Sequence, residues 1–455
     1  LKPIRFLVLL VAATASLLAP AKAYAHLHLE RSAPAANDTL TAAPSVIRLT
    51  YSESVELGFS DLSLVGPLGE VRLGELVVPV DSPAVLEARI VGRLVAGEYT
   101  VRWQAASADG HPMRGEYTFT IAADAEGLPP AVPTAAITAR PDTTPPPARA
   151  ATFGVESPGY VAVRWGTFVA LLAVIGAVAF RLLVLAPLAD DKETVSLAAT
   201  RAARLGLWAA ALLFLAAFLR LGAESAAVSG TLADATHAGG IVFGTIWGAG
   251  WLLEVGGALV ALAGFLLARR GADVGWLIAA LGAVALAFFP ALSGHAVSEE
   301  RFRFATVIAD GLHVFSAGGW LGSLLFLLVV GIPSAGRARS RDRGETLTRM
   351  VTAFSAPALT FAALLLLTGI FASWVHLGSL SALTGTAYGK TLLGKLAVVA
   401  VVAVAGVVNW RSLRPKLGSD GVPQRLRRSA AFELAAALLV LVITAALVGT
   451  PLPPH

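Results

Sequence analysis

The chain reads as an N-terminal β-sandwich, Ig-like or cupredoxin-like, followed by an eight-helix transmembrane bundle. Composition is the first ground. Of 455 residues, 56% are hydrophobic and 14% charged, where soluble domains carry roughly a quarter charged; mean hydropathy is +0.71. Distribution is the second. Short stretches rich in β-branched and aromatic residues fill 26–122, whereas long apolar runs fill the chain beyond 157. The third is the placement of basic residues between those runs. A net charge of +5 and a pI of 9.7 therefore reflect membrane topology and predict no nucleic-acid partner.

The first 25 residues predict a signal peptide. Lys2 and Arg5 precede an apolar stretch from Phe6 to Leu18, and Ala23-Tyr24-Ala25 supplies the small residues that signal peptidase prefers. Cleavage there would leave His26 as the mature N-terminus. In residues 26–122, strands are expected at Val46 to Tyr51, Asp61 to Val65, Val71 to Val78, Val85 to Val91, Tyr99 to Ala105 and Gly115 to Ile121, separated by Gly-Pro, Gly-Glu and Asp-Gly turns. Six or seven strands in such a length suggest a sandwich. Residues 123–157, dense in Pro and Ala, read as an extended linker.

Eight apolar spans follow within a membrane domain at 158–450, near 160–186, 205–223, 245–268, 274–294, 304–332, 351–376, 391–410 and 430–449. Each approaches the ~20 residues that a bilayer requires. With the sandwich exported, alternate loops are cytoplasmic. Those loops hold Arg201 and Arg204, Arg269 and Arg270, the run from Arg337 to Arg349, and the cluster from Arg411 to Arg428. The positive-inside bias agrees with the signal peptide. The expected location is a bacterial cytoplasmic (inner) membrane, with the sandwich and the tail 451–455 outside.

On that topology all eight histidines, His26, His28, His111, His237, His295, His313, His376 and His455, fall on the extracytoplasmic side. There is no cysteine, which removes disulfides, iron–sulfur clusters and zinc-finger frameworks, and only Met113 and Met350 carry thioether sulfur. Imidazole without sulfur suits a borderline ion such as Cu(II). A mature His26 would offer both its imidazole and its α-amine to one ion. Asp109 and His111, in Ser107-Ala108-Asp109-Gly110-His111-Pro112, alternate and so share a face of an extended or turn segment. Together these supply a nitrogen and oxygen donor set for tetragonal Cu(II). His28 would point the same way as His26, as an extra ligand, a supporting group or a solvent-exposed neighbour.

The segments HLHLERSAPAAND, RLTYSESVEL and ASADGHPMRGEYTFTI resemble the periplasmic copper-binding protein CopC. The segments LSGHA, ADGLHVFSAGGWLGSL, TAYGKTLLGKLAVVAVVAVAGVVNWRSLRP and LRRSAAFELAAALLVLVITAAL resemble the copper resistance protein CopD. The chain thus resembles fused CopC–CopD proteins of copper uptake and tolerance. That resemblance maps the family's Cu(II) ligands onto His26, Asp109 and His111. The Met-rich Cu(I) loop of some CopC proteins has only Met113 as a counterpart, so no separate Cu(I) site is expected. Copper ion, the lipid bilayer and periplasmic copper carriers are the implied partners.

Within the spans, ionisable residues are costly and point to function. Asp310 and His313, three apart on one helix, share a face. Glu254 lies at a similar depth, and His295 and His376 flank that level. These five could form a metal relay; alternatively, Asp310 and Glu254 form ion pairs with Arg164, Arg220 or Lys395. No enzyme activity is expected. The competing readings are a membrane redox enzyme using copper or haem, and copper sequestration or sensing without transport. Nothing resembles a P-loop, and no cytoplasmic histidine or methionine pair is visible to receive copper.

Overall fold

The computed structural model describes residues 27–107, 113–123, 157–229, 238–294, 302–337, 343–408, 411 and 422–449. Among these, the N-terminal section folds as two facing sheets. One has the order β1 (Leu29–Ala33), β3 (Val46–Tyr51), β7 (Val85–Ile90), β6 (Leu73–Val77). The other runs β2 (Thr39–Leu40), β9 (Met113–Ile121), β8 (Gly97–Ala105), β4 (Asp61–Gly66), β5 (Gly69–Val71). Neighbours are antiparallel except β2 and β9. Alternation drives the arrangement: Ile47, Leu49 and Tyr51 of β3 face inward and are buried. They meet Leu64, Leu86, Val101 and Phe119, and Tyr99 stacks on Phe119 with ring centroids 5.4 Å apart. Each large apolar side chain so buried contributes about 1.5–3 kcal/mol before the entropy of ordering is counted.

Two strand expectations need correction. The run Val71 to Val78 is not one strand: β5 and β6 are separated at Arg72 and join different sheets. A continuous apolar pattern cannot show that a chain changes sheets, because each half alternates correctly against its own partner. The short strands β1 and β2, not anticipated, close opposite edges and take their hydrogen bonds from β3 and β9.

The second section contains all eight expected spans, and the protein is a membrane protein. They are α1 (Pro158–Leu188), α2 (Lys192–Ser229), α3 (Ile246–Ala268), α4 (Val274–Leu292), α5 (Arg303–Gly336), α6 (Arg343–Leu377), α7 (Ala387–Val408) and α8 (Val422–Leu447). The second begins well before residue 205, because Lys192 to Arg204 has good helix formers that extend the helix past its apolar part. Ser157 caps α1 by accepting from the Tyr160 amide at 3.2 Å, with Pro158 in the first turn. Large apolar side chains such as Trp208, Leu215, Leu277, Leu281 and Val404 face away from the bundle, as a lipid-facing surface requires.

Small residues let the helices approach closely. A β-carbon on Gly176 or Gly322 would strike the other helix's backbone, so α1 and α5 cross there nearly in contact. Gly264 and Gly275 play the same part between α3 and α4. In α5, π-helical turns at Gly318–Gly322 and Leu327–Gly331 interrupt the α-helical repeat beside that crossing.

Candidate metal centre

His26, Asp109 and His111 lie outside the described residues, as do His237, His295 and His455. The chain flanking the three ligand candidates is described, and it converges. Leu27, next to His26, is buried in the sandwich core. The His28 amide donates to Ser52 Oγ at 3.0 Å, and the Ser52 amide donates to the His28 carbonyl at 3.0 Å. Four residues on, the Glu56 amide donates to the Ala106 carbonyl at 2.9 Å. Ala106 and Ser107 are buried, and they lead into the connection carrying Asp109 and His111, whose ends are pinned where Ala105 pairs with Met113. Residues 52–56 therefore bridge the segment after His26 to the segment before Asp109.

Glu53 lies within that bridge and is buried. The sequence reading passed over it, although a signal was available. Tyr51, Glu53 and Val55 are alternately buried, so the strand phase of RLTYSESVEL turns this carboxylate inward. His28 is exposed, with Nε2 3.9 Å from Glu30 Oε1.

Among the described residues, two separate polar groups in the bundle contain the residues expected to form a relay. In the first, Arg220 and Glu254 form a buried ion pair at 2.6 Å. The Arg220 guanidinium lies 5.6 Å from the Trp247 ring centroid and 5.2 Å from that of Phe289. Tyr160 donates to Glu224 Oε1 at 3.3 Å, while Arg164 lies over the Tyr160 ring and donates to the Ala445 carbonyl at 2.8 Å. Two arginines and two glutamates balance in charge, and such a buried set is tolerable only when paired.

The second group lies between α5, α6 and α7. His313 Nδ1 is 3.0 Å from Thr368 Oγ1. The Thr368 hydroxyl also lies 2.8 Å from the Leu364 carbonyl and 3.2 Å from that of Leu365; when it donates to either, its oxygen accepts from Nδ1–H in the tautomer protonated there. That tautomer leaves Nε2 with its lone pair, the form in which imidazole binds a metal. Gly369 makes room for the ring: a β-carbon there would sit 3.3 Å from His313 Cε1. Asp310 interacts electrostatically with Lys395 and Tyr388, and the Tyr388 hydroxyl is 3.4 Å from His376 Nδ1.

Of the five residues expected to form a relay, the structure therefore groups Asp310, His313 and His376 on neighbouring helices. Glu254 sits apart, in the arginine cluster. Among the described residues no three histidine or acidic side chains are close enough to hold one metal ion. Of the anticipated ion pairings, Glu254 with Arg220 is present, whereas Asp310 and Lys395 influence each other electrostatically without forming a direct salt bridge. Sequence reasoning missed Thr368, since a hydroxyl in an apolar helix ordinarily bonds only its own preceding turn.

Comparison with known proteins agrees with both sections. Residues 29–122 match the CopC domain, 155–303 the copper resistance protein D-like N-terminal domain, and 348–447 copper resistance protein D. The chain is 26% identical over 445 residues to the copper transport protein CutJ of Bacillus subtilis, covering 96% of this chain and 76% of that one. It is 29% identical over 304 residues to copper resistance protein D of Pseudomonas syringae pv. tomato, covering 63% and 94%. Against copper resistance protein C of Escherichia coli it is 37% identical over 106 residues, covering 22% and 83%.

Proposed function

The chain belongs to the fused CopC–CopD copper resistance family, and we propose that it captures Cu(II) outside the cytoplasm and passes it into its membrane bundle for uptake. The observation that supports capture most directly is the convergence described above. Residues 52–56 hold the chain beside His26 against the chain leading to Asp109 and His111. In this reading residues 1–25 are removed, and the exposed His26 amine joins both imidazoles and the Asp109 carboxylate as copper donors. Glu53, buried within the bridge, is a further carboxylate for the same end of the sandwich. The sandwich and the 451–455 tail lie on the extracytoplasmic side of the inner membrane, the Pro-rich segment 123–157 links the two sections, and periplasmic carriers deliver the metal.

For passage, His313 is the favoured membrane residue. It sits about 15 Å along α5 from Arg303, at 1.5 Å rise per residue. Thr368 fixes its ring so that Nε2 is available, and Asp310 is one turn away. In this reading His376, near the end of α6, and His295, which follows α4 in the sequence, are earlier stations. Glu254 belongs to this path only if copper also reaches the arginine cluster. The deciding experiment is copper accumulation in cells with and without the protein, repeated with His26→Ala. Uptake predicts higher accumulation with the parent chain and loss of the excess in the variant; lower accumulation with the parent would mean export or exclusion. Haem absorbance in the purified protein would instead favour the redox reading.

A further inference from the structure

Two acid–base pairs within the spans differ in kind. Arg220 and Glu254 close at 2.6 Å and are buried. Asp310 and Lys395 interact electrostatically without closing a salt bridge, and both are only half-buried, as is His313. Helix geometry brings these three together. The Tyr388 hydroxyl meets His376 Nδ1 at 3.4 Å, which sets the start of α7 beside the end of α6. From there the two consecutive spans run antiparallel. Thr368 lies eight residues before His376, about 12 Å along α6, and Lys395 seven residues after Tyr388, about 10.5 Å along α7. Seven residues are close to two full turns, so Lys395 stands on the helix face that carries Tyr388. It therefore reaches the level of Thr368, whose hydroxyl holds the His313 ring at 3.0 Å. Asp310, three residues before His313 on α5, shares the face of that imidazole.

A purely structural pair gains by closing, because ions taken out of water recover that cost only through close mutual contact. An unclosed pair leaves the Asp310 carboxylate able to take a second cation while Lys395 supplies the neutralising charge. Lysine suits that part. Its compact ammonium on a flexible four-carbon stem can advance and withdraw, whereas a guanidinium fork would lock on the carboxylate bidentately. The Lys395 charge also acts on His313. Copper at His313 Nε2 would add positive charge that Lys395 opposes and Asp310 offsets. Metal and ammonium are thus rivals for one carboxylate.

We propose that Lys395 is a tethered counter-ion of the copper path: its ammonium neutralises Asp310 while His313 is empty, yields the carboxylate to an arriving copper ion, and returns as that ion leaves. The proposal rests on the reading above that copper passes His313. Its test uses the full chain in nanodiscs and proteoliposomes, with Cu(II) as the probe. The bundle site is the copper EPR signal that His313→Ala removes. Lys395→Gln should strengthen Cu(II) binding there roughly ten-fold, the scale of one nearby charge in a partly screened site. In proteoliposomes the same variant should lower both the half-saturating copper concentration and the maximal rate, because the ion is held and not expelled. With Asp310→Asn present, Lys395→Gln should add little, since the rivalry needs the carboxylate. Lys395→Arg keeps the charge and serves if the glutamine variant does not fold; by locking on Asp310 it should weaken copper binding at His313. Parent affinity in Lys395→Gln, an equal gain with and without Asp310, a raised maximal rate, or unweakened binding in Lys395→Arg would each overturn the proposal. If the parent shows no copper signal that depends on His313, the passage reading itself fails, and the proposal falls with it.

Discussion

Two ionisable residues at similar depth in the bundle have different surroundings, and the difference predicts different phenotypes. Glu254 is fully buried against Arg220; removing one partner of such a pair strands the other charge and costs about 3–5 kcal/mol. Glu254→Gln should therefore lower the unfolding temperature in detergent, with copper accumulation falling only in proportion to the folded protein. His313 is held by a neutral hydroxyl, so His313→Ala should leave stability nearly intact and abolish the copper excess. Thr368→Val should give a partial loss and Thr368→Ser should retain function, because serine can still accept from Nδ1–H. Normal accumulation by His313→Gln would remove this residue from the path.

Glu56 carries a pH dependence. Burial pushes its carboxyl above the ordinary range, outweighing the Ile246 amide and the Arg303 charge that pull it down. A carboxyl whose pKa is raised in the folded protein contributes stability that is fully present below its ordinary value and is lost as pH rises through the raised value. The unfolding temperature of the purified chain should accordingly fall as pH rises through that raised value. In Glu56→Gln, which keeps the acceptor for Ile246, that pH dependence should disappear.

At the scale of elements, the crossing of α1 and α5 is the tightest constraint. Gly176 and Gly322 meet backbone to backbone, and the π-helical turns of α5 lie at the same level. Without a hydrophobic force between helices inside lipid, packing at such points supplies much of the association. Gly322→Val should separate the pair, with a loss in thermal stability larger than that of Gly166→Val, where a β-carbon meets open space. Differential scanning fluorimetry of the two purified variants checks the contrast. His313 precedes Gly322 on the same helix, so Gly322→Val should also weaken copper movement.

For the whole molecule, capture and passage are separable. The sandwich has its own apolar core, distinct from that of the bundle. Residues 26–122 with a free His26 amine should accordingly bind one Cu(II), and one extra residue before His26 should weaken binding sharply by burying the amine in a peptide bond. Titration followed by copper EPR reads both; equal affinity in the extended form would exclude the amine as a ligand. Full-length chain carrying that extension should lose its copper excess in cells although its bundle is untouched.

Periodicity and composition were sufficient for the two-part architecture and all eight spans. Burial phase and apolar length are local properties: VIRLTY alternates because one face must be dry, and a run such as LLAVIGAVAFRLLVLAPL must meet lipid or protein wherever it lies. The residue types of His26, Asp109 and His111 suggest a donor set in the sequence, and the structure describes only the chain beside them. What the sequence left open were choices between partners of equal chemical merit. Glu254 could have joined His313 or Arg220, and only helix packing set it beside Arg220. The division at Arg72 depended on two sheets that contact residues far away in the chain. The edge-on contact of Phe59 with Trp247 joins residues 188 positions apart. A pairwise contact between distant segments leaves no period in either one, so the tertiary structure alone decided it.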